Sequence, residues 1–494
     1  MASKRLSKSQ FMMGRQCQKR LWLYNYRKDL IPPIDPAQQQ IFDQGHAIGE
    51  LARNYFPGGI LVSADYMHIP EAIKHTAELV SGKAKAIYEG TFIYDNVLVR
   101  ADILKRNSEG SWDLIEVKGS TEVKEEHLYD VAIQRYVIEG AGIKIRKAEL
   151  MHIDNTFVKN GEIKPKDFFR RQDITKETGE LLPEIKENLQ DFMKTLSVAK
   201  EPDIDIGQHC SSPYSCDFSG HCWKEIPEYS IYDIPRLNWE KKSELREMGI
   251  LKFRDVPEDF DLNDGQRLYW QVERTGKAIL DKERIQEFLN TLEYPICHID
   301  FETIMPGLPL YDGTRPYQQI PFQVSLHIQD KPGSQPKHLE FLADGGSDPR
   351  PQLAKFLVSN IGPKGTLLAY NASFEAKRIE ELAEAFPTHR KSLLALLSRI
   401  EDLMKPFQQR AYIHPKFQGR YSIKNVLPAL IPDMTYKGMA VANGGDAQIA
   451  YLNILSGKLS PEAVEKTRKD LIAYCGQDTL AMVKILEHLG AVVR

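Results

Sequence analysis

Three charged residues interrupt two apolar runs of this sequence in a way that a hairpin with surface charges does not explain. Asp102 lies within the run 97–104, and Glu116 and Lys118 lie in the next run, 112–119. Both runs have the composition of buried β-strands. Burying two carboxylates and an ammonium group is costly unless something pairs with them. A hard divalent cation would do so, because it prefers carboxylate oxygens and leaves the lysine free to hold water or a phosphate oxygen.

The placement of the cysteines indicates a second chemical feature. Six cysteines in 494 residues are too few for a disulfide scaffold. Three of them nevertheless fall within one short segment, at Cys210, Cys216 and Cys222. Thiols so close in sequence rarely lack a shared partner, and a metal centre is the usual one. Cys297 and Cys475 fall inside apolar stretches, where we expect core positions.

Another pair of carboxylates, Asp300 and Glu302, lies on a predicted strand. Residues two apart on a strand project from the same face, roughly 7 Å apart along the chain. Like charges so placed repel one another unless cations lie between them, as in a two-metal phosphoryl-transfer site. An Asp-x-Glu pair alone is common on exposed strands, but two later segments strengthen the interpretation. Glu375 follows a strand at the start of a helix, and Tyr474 and Asp478 share one face of a late helix.

Composition limits the class of protein. A chain of 494 residues is expected to form two or three domains, and 42% hydrophobic with 27% charged residues is typical of a globular protein. No apolar stretch approaches the roughly 20 residues that cross a bilayer. The amino terminus lacks the apolar core of a secretory signal, so we expect a cytoplasmic protein with no membrane partner. The net charge of −3 argues against a passive nucleic-acid coat protein, but not against an enzyme whose metals supply local positive charge.

Positive charge is concentrated in the first thirty residues, which we expect to be mostly helical. This excess fits either a solvated helix face or a face that contacts phosphate. The basic residues are Lys4, Arg5, Lys8, Arg15, Lys19, Arg20, Arg27 and Lys28, against Asp29 alone.

Hydrophobic periodicity divides the chain into three regions. Residues 1–228 place strands and a helix around Asp102 and Glu116 in the order strand, strand, helix, strand, which indicates an α/β sheet. Residues 229–291 are polar and helical, and we expect a helical linker. Residues 292–494 alternate apolar strands with helices, so the predicted fold class is α/β on both sides of the linker.

The arrangement of Asp102, Glu116 and Lys118 resembles the PD-(D/E)XK nuclease superfamily. The cysteines narrow the resemblance to its RecB-like branch, which includes the CRISPR-associated iron–sulfur nucleases and the AddB-type nucleases. It covers roughly residues 1–225 and implies a restriction-endonuclease-like domain. The resemblance implies that Asp102, Glu116 and the Val117 carbonyl bind Mg²⁺ or Mn²⁺. Lys118 would orient or help deprotonate the attacking water, and Gln134 on the following helix would support the site.

Two positions depart from that family's pattern. Tyr136 does not have the family's spacing from Gln134. The family's metal-binding histidine has no counterpart at its usual place, where His46 or Glu50 could substitute. The number of metal ions at this site is therefore left open.

The same branch of the family has one cysteine before the nuclease core and three after it. By that resemblance Cys17, Cys210, Cys216 and Cys222 hold a 4Fe-4S cluster. A zinc site is the alternative, with His209 or His221 as a possible ligand.

In chain order, the segments around Asp300, Glu375 and Asp478 resemble the three motifs of the DEDD exonucleases. These enzymes have an RNase H-like fold, and the likeness is to the subgroup with a tyrosine four residues before the last aspartate. It covers roughly residues 292–494. The resemblance implies that Asp300, Glu302 and Asp478 hold Mg²⁺ or Mn²⁺. Tyr474 would orient the attacking water, being too weak an acid to serve readily as its base at neutral pH.

The second motif of this chain ends in Glu375 where the family normally has aspartate. The longer side chain of Glu375 could still reach the metals, or Asp402 could contribute in its place.

Together the two resemblances imply a hydrolase: a metal-dependent DNA nuclease of the kind used in DNA repair, with two nuclease domains. It would hydrolyse phosphodiester bonds at single-stranded DNA ends, including 3′–5′ exonuclease action. Two alternatives stay open. One domain could be a catalytically inactive nucleic-acid-binding module, or the substrate could be RNA, since no motif reads the 2′-hydroxyl.

Overall fold

A computed structural model describes residues 5–63 and 68–494. The chain forms two compact units. The first comprises Met1–Glu225 with Pro306–Tyr317, and the second comprises Ile226–Met305 with Gln318–Arg494. Both units combine helices with β-sheet, so the predicted α/β class is confirmed at that level. None of the described helices is long and apolar enough to cross a membrane.

The elements of the first unit are, in chain order, β1 (Leu6–Ser7), α1 (Lys8–Gln16), α2 (Gln18–Tyr26), α3 (Pro36–Arg53), β2 (Ile60–Leu61), α4 (Ile69–Ser81), β3 (Ala86–Tyr94), β4 (Val97–Arg106), β5 (Trp112–Lys118), α5 (Glu125–Gly140), β6 (Ile145–Ile153), α6 (Pro165–Phe168), β7 (Phe169–Asp173), α7 (Thr175–Glu180), α8 (Leu182–Ser197) and α9 (Ser219–Cys222). The predicted order of two strands, a helix and a strand is present as β4, β5, α5 and β6.

These strands form one sheet, in which seven strands are described, ordered β2-β3-β4-β5-β6-β7 with β1 beside the start of β4. Strands β3, β4 and β5 are antiparallel neighbours, while β5 and β6 are parallel and joined by α5. One face of the sheet packs against α5 through residues such as Val131 and Leu114. The other face packs against α3, where Ile48 belongs to the same cluster as Ile103 and Ile115. The two faces therefore carry different neighbours and, as shown below, different chemistry.

The elements of the second unit are α10 (Trp239–Glu247), α11 (Asp264–Thr275), β8 (Ile279–Leu280), α12 (Lys282–Asn290), β9 (Ile296–Ile304), β10 (Ile320–Gln329), β11 (Lys337–Leu342), α13 (Arg350–Asn360), β12 (Leu367–Ala369), α14 (Ser373–Ala385), α15 (Arg390–Leu397), β13 (Ile400–Asp402), α16 (Lys405–Gln408), β14 (Tyr412–Ile413), α17 (Ile423–Leu430), α18 (Gly444–Leu455) and α19 (Pro461–Val493). The main sheet has the order β11-β10-β9-β12-β13, with β9 antiparallel to β10 and parallel to β12.

Residues 229–291, expected to be a helical linker, are part of the second unit and have a hydrophobic core of their own. Leu245, Phe253 and Trp270 are buried in that core together with Ile413, which lies on β14. Strand β8 also pairs with β14. The widely spaced apolar residues of a mostly polar segment therefore fold onto a distant part of the chain, which their local pattern does not reveal.

Candidate functional site

Four carboxylates of the second unit converge where β9, α14 and α19 meet. Asp300 and Glu302 share one face of β9, Glu375 lies in the first turn of α14, and Asp478 lies on α19. Parallel pairing of β12 with β9 brings the start of α14 beside the two strand carboxylates. Glu302, Glu375 and Asp478 are at most 6% exposed. The sequence pattern therefore predicted a group of acidic residues that the fold does bring together.

Burial raises the pKa of every member of this acidic cluster, and repulsion from neighbouring carboxylates adds to the rise for Asp300, Glu302 and Glu375. Burial, then the charges of Asp478 and Glu302, raise the pKa of Asp300 well above its usual range. Burial and Asp478 raise the pKa of Glu302 to about 8, and burial with Asp402 raises that of Glu375 to about 8. In the free protein the cluster therefore binds protons near neutral pH in place of a compensating charge.

The donor set of the acidic cluster fits a hard divalent cation. Ligand atoms of Asp300, Glu302 and Cys475 lie within 4.8 Å of one another, and no other group of this kind was found among the described residues. Oε2 of Glu375 is buried without a hydrogen-bond partner. Such an oxygen is costly to bury, and a cation would satisfy it.

The cysteine in that group is a neighbour of the carboxylates, and hard cations do not select thiols. Cys475 is fully buried, as the sequence predicted, and its Sγ lies 3.7 Å from Oδ2 of Asp300. Burial, then the charge of Asp300, raises the pKa of the Cys475 thiol well above its usual range. The thiol therefore stays protonated and can donate a weak hydrogen bond to Asp300. Cys297 is likewise a core residue.

Two tyrosines, Tyr436 and Tyr474, lie beside the Asp478 carboxylate. The hydroxyl of Tyr436 donates a hydrogen bond to Oδ1 of Asp478, and the nearby Tyr474 also favours the ionised form of this carboxylate. Burial raises the pKa of Asp478 to about 6, and the hydrogen bond from Tyr436, the charge of Lys424 and the nearby Tyr474 oppose a larger rise. Burial and the charge of Asp478 raise the pKa of Tyr474 far above its usual value. Tyr474 is therefore a proton donor at neutral pH and cannot act as a base.

Lys424 and Tyr436 belong to this site but carry no motif that the sequence analysis could use. The Lys424 ammonium lies 5.4 Å from the ring centroid of Tyr474 and 5.6 Å from that of Tyr436, and it donates to the Ala442 carbonyl at 2.8 Å. Its charge lowers the pKa values of Glu302 and Asp478. It is a cation placed at the edge of the acidic cluster.

Asp402, considered above as a substitute for Glu375, has a structural role. Its Oδ1 accepts the backbone N–H groups of Asn371 and Met404, each at 2.9 Å. Asn371 has φ of 71° in the turn that leads into α14. Asp402 therefore holds this turn while Glu375 itself faces the cluster.

The sequence-predicted residues of the first unit also converge, around Glu116. Oε2 of Glu116 accepts the Nε2–H of Gln134 at 2.8 Å, and its Oε1 accepts the ammonium of Lys118 at 2.8 Å. Oδ2 of Asp102 accepts the N–H of Val117 at 2.8 Å. Burial and repulsion from Glu116 raise the pKa of Asp102 to about 8. Asp102, Glu116, Lys118 and Gln134 thus form one hydrogen-bonded site.

Two further charged residues, Lys8 and Asp130, complete this first site. The Lys8 ammonium lies 2.8 Å from Oε1 of Glu116 and 3.0 Å from Oδ1 of Asp130. Asp130 is also paired with Lys118. Burial opposes ionisation of Lys8, Lys118 and Asp130, yet their mutual attraction raises the pKa values of both lysines and lowers that of Asp130. All three are therefore ionised at neutral pH.

The amino-terminal segment is built to place Lys8 there. Strand β1 pairs with the start of β4, and Ser7 then caps α1 in a reciprocal arrangement with Gln10. Lys8 is consequently the first residue of α1, where the helix dipole disfavours a cation. Glu116 and Asp130 offset that cost. Lys8 was expected at a solvated or phosphate-contacting helix face, and it instead neutralises the site.

A divalent cation has less support at the first site than at the acidic cluster. Both oxygens of Glu116 already accept hydrogen bonds, one from two ammonium groups and the other from Gln134. Within the part of the chain that the structure describes, no third carboxylate, histidine or thiol joins Asp102 and Glu116 within 4.8 Å. The predicted Val117 carbonyl is adjacent, but a metal there would have to displace an ammonium group. In this arrangement the lysines supply the compensating charge.

The substitutes considered for the missing histidine lie elsewhere. His46 and Glu50 are exposed on α3, whose buried residues Ile48 and Ala52 pack against the sheet face opposite α5. Tyr136 donates a hydrogen bond to Asp95 at 2.8 Å. Neither His46 nor Glu50 therefore completes the site.

A local reversal of the strands aims Asp102 toward α5. Opposite Asp102 in the sheet, Glu89 adopts φ of 58°, in the left-handed region that residues with a Cβ rarely occupy. Ile87 and Phe92 are five residues apart and would lie on opposite faces of a regular strand, yet both pack on the α5 side. The alternation of side chains along β3 therefore shifts by one residue between them. The strained residue therefore lies beside a candidate site residue, which is where such strain is typically found.

The four cysteines Cys17, Cys210, Cys216 and Cys222 line a single pocket, with Lys19 and Arg20 beside them. All four are free thiols. Burial and the other cysteines raise the pKa of Cys222 to about 11. Contacts around the pocket join the helix that follows Cys17 to the segment before Cys222: Lys19 pairs with Glu201 at 3.0 Å and Arg20 pairs with Asp217 at 2.8 Å.

The distances between the four cysteine sulfur atoms bear on which metal group the pocket could hold. A tetrahedral zinc ion with Zn–S bonds of about 2.3 Å holds its sulfurs roughly 3.8 Å apart. No three of these sulfurs, all of them in described residues, lie within 4.8 Å of one another. His221 is turned to Glu201 at 3.2 Å, whereas His209 lines the pocket. The four sulfurs line one pocket without the close spacing of a zinc site.

Comparisons with known proteins reach only part of the chain. A family described as a domain of unknown function (DUF2779) matches residues 297–422, which include Asp300, Glu302 and Glu375. The uncharacterized protein UU173 of Ureaplasma parvum is 27% identical over 210 residues, 38% of this chain and 30% of that protein. The uncharacterized protein MG366 homolog of Mycoplasma pneumoniae is 25% identical over 226 residues, 42% of this chain and 34% of that protein. The matches thus span about a third of these relatives. The crystal structure of SSO0001 covers 46% of this chain and 89% of its own at 16% identity, with a TM-score of 0.23 that is too low to support an argument.

Proposed function

We propose that this protein is a metal-dependent nuclease whose second unit hydrolyses the phosphodiester bonds of single-stranded DNA ends in the 3′–5′ direction. The observation that carries the proposal is the convergence of Asp300, Glu302, Glu375 and Asp478 in a buried cluster with an unpartnered Glu375 oxygen. The order β11-β10-β9-β12-β13, with the acidic pair on the central strand, supports the proposed RNase H-like fold.

In this proposal Asp300, Glu302 and Asp478 hold Mg²⁺ or Mn²⁺, and Glu375 takes the place of the family's aspartate. Bound metal would polarise the attacking water and stabilise charge on the leaving oxygen. Tyr474, which stays protonated, donates a hydrogen bond and so orients rather than deprotonates the water. Tyr436 holds the Asp478 carboxylate by its hydrogen bond to Oδ1, and Lys424 supplies a positive charge where a phosphate would enter.

For the first unit, the ion pairs of Glu116 favour the alternative of a nucleic-acid-binding module. A PD-(D/E)XK-type reaction requires a metal on Asp102 and Glu116, and Lys8 with Lys118 already neutralises Glu116. The raised pKa of Lys118 also prevents it from acting as a base at neutral pH. We therefore place hydrolysis in the second unit and nucleic-acid contact in the first.

The cysteine pocket is proposed to hold a 4Fe-4S cluster. Its four sulfurs line one pocket without the close spacing of a zinc site, and a cluster carrying several thiolates is anionic, which suits the adjacent Lys19 and Arg20. Its role here would be to tie Cys17 to the segment 210–222 rather than to take part in hydrolysis.

The experiment compares cleavage of end-labelled single strands, in DNA and RNA, by the wild type, Asp300→Asn and Asp102→Asn with Mn²⁺. We expect Asp300→Asn to lower the rate at least about a thousandfold and Asp102→Asn to leave hydrolysis within about threefold. Loss of activity in Asp102→Asn alone would place the chemistry in the first unit. Parallel loss in both would indicate two cooperating nuclease sites. Preference for RNA would change the substrate class.

A further inference from the structure

A basic pocket lies on the α3 face of the first unit, opposite the face that carries Glu116. Lys105 and Arg106 at the end of β4, Lys85 before β3, Lys166 on α6 and Arg171 on β7 line it. Glu116 and Asp102 lie on the α5 face. Lys105 is two residues after Ile103 on β4 and so shares its face, which packs against α3. The basic pocket is therefore separate from both candidate sites.

Most of the positive charge in the basic pocket is uncompensated. Arg171 pairs with Glu149. No carboxylate in the described part of the chain lies within ion-pair distance of the ammonium groups of Lys85, Lys105 or Lys166. The Arg106 guanidinium is held by backbone carbonyls, for example that of Val80 at 2.6 Å, which leaves its charge without a counterion. Like charges so concentrated repel one another unless an anion joins them.

The shape and remaining lining suit an extended anionic ligand. The cavity measures about 550 Å³ and also exposes Tyr55 together with the polar residues Asn107 and Ser108. The ring of Phe56 beneath the cations is already covered, since Arg171 lies 5.3 Å and Lys105 5.9 Å from its centroid, and Arg171 also lies 5.7 Å from the ring centroid of Tyr55. Those contacts hold the cationic groups in place while leaving their outer faces open. The pocket therefore favours phosphate contacts over base stacking.

We propose that the basic pocket binds consecutive phosphate groups of a nucleic-acid strand and keeps the protein on its substrate. The class of ligand rests on the proposed function, because a polymer of phosphodiesters is what the second unit would hydrolyse. Lys85, Lys105 and Lys166 contact phosphates as point charges, and Arg106 and Arg171 add directed N–H donors. The site binds without reading base sequence.

The test measures binding of a fluorescent single strand of about 20 nucleotides by anisotropy, in EDTA so that hydrolysis does not interfere. The variant combines Lys85→Gln, Lys105→Gln and Lys166→Gln. The matched control combines Lys176→Gln, Lys186→Gln and Lys194→Gln, which removes equal charge from the exposed surfaces of α7 and α8. We expect the pocket variant to bind at least about tenfold more weakly, with a salt dependence reduced by about 2 in log–log slope. The control should bind like the wild type.

Equal weakening in both triple variants would overturn the proposal, because it would reflect net charge alone. Unchanged binding in the pocket variant, with unchanged thermal stability, would also overturn it. Competition identifies the ligand: unlabelled DNA should displace the probe, whereas inorganic phosphate or polyglutamate at matched charge should not. Displacement by either would assign a different anion. The binding assay contains no metal and does not depend on hydrolysis. Failure to hydrolyse DNA with Mn²⁺ would therefore refute the proposed function without changing the interpretation of the binding result.

Discussion

The Lys8 ammonium lies 2.8 Å from Oε1 of Glu116, although 108 residues separate them in sequence. This ion pair joins the start of the amino-terminal helix to the centre of the first candidate site. Lys118 binds the same oxygen, so one carboxylate is shared by two cations. Asp130 also pairs with both ammonium groups and supplies the second negative charge. The first site is consequently neutralised by its own side chains.

Replacing Lys8 should therefore destabilise the protein. Lys8→Met leaves the buried Glu116 and Asp130 with one cation between them, and we expect the free energy of unfolding to fall by about 3 kcal/mol. Lys28→Met, at an exposed position near the same helices, should change it by less than about 0.5 kcal/mol. Urea unfolding of both variants measures the difference. Equal stability of Lys8→Met and the wild type would show that Lys8 is not held in this site.

The acidic cluster predicts that the metal-free protein loses stability as the pH rises. The pKa values of Glu302 and Glu375 are about 8 in the folded protein and lower in the unfolded chain. At pH values between the unfolded and folded pKa values, the folded state therefore binds more protons than the unfolded chain. This contribution is complete below about pH 4.5 and is lost as the pH passes about 8. We expect the urea midpoint in EDTA to fall between pH 6 and 8.5.

Asp300→Asn removes one of the repelling charges, and its midpoint should fall less over the same range. Adding Mn²⁺ should stabilise the wild type more at pH 8 than at pH 6, because protons compete with the metal. A wild-type midpoint that rises with pH in EDTA would contradict the raised pKa values of the cluster.

Tyr474→Phe tests whether the hydroxyl orients the reaction. The variant keeps the ring in the core but removes the hydroxyl beside Asp478. We expect kcat to fall about 10- to 100-fold with little change in KM, because the group acts on the reacting water and not on strand binding. Tyr412→Phe, a buried tyrosine that bonds to His488, is the control and should retain activity. A change in KM alone would assign Tyr474 to substrate binding.

Cysteine substitution distinguishes iron–sulfur from zinc. Protein purified without oxygen should contain iron and absorb broadly near about 400 nm, and Cys216→Ser should lose most of both. Cys297→Ser alters a buried thiol of the second unit and should leave the absorption intact. Stoichiometric zinc in a colourless wild type would contradict the proposed 4Fe-4S cluster.

Residues whose roles follow from local spacing were predicted from the sequence. Asp300 and Glu302 share a strand face, and Tyr474 and Asp478 share a helix face, so periodicity alone placed each pair. The helix expected to begin near Glu375 is observed as Ser373–Ala385, and the strand predicted at 97–104 extends as Val97–Arg106. These features depend on neighbours within a few residues.

Residues that act across long separations were missed. Tyr436 reaches Asp478 over 42 positions and Lys8 reaches Glu116 over 108, and neither belongs to a local pattern. The segment 229–291 was expected to be a linker because its polar composition hides the spaced residues Leu245, Phe253 and Trp270 that form a core with β14. Such contacts are set by tertiary packing, which local propensity does not encode.

The most direct test of the proposed function is a calorimetric titration of Mn²⁺ into the wild type, Asp300→Asn and Asp102→Asn at pH 8. The carboxylates of the second unit are expected to hold the metal, so Asp300→Asn should weaken binding at least about 100-fold while Asp102→Asn matches the wild type. Unchanged affinity in Asp300→Asn, or loss of affinity in Asp102→Asn, would contradict a metal site at the acidic cluster.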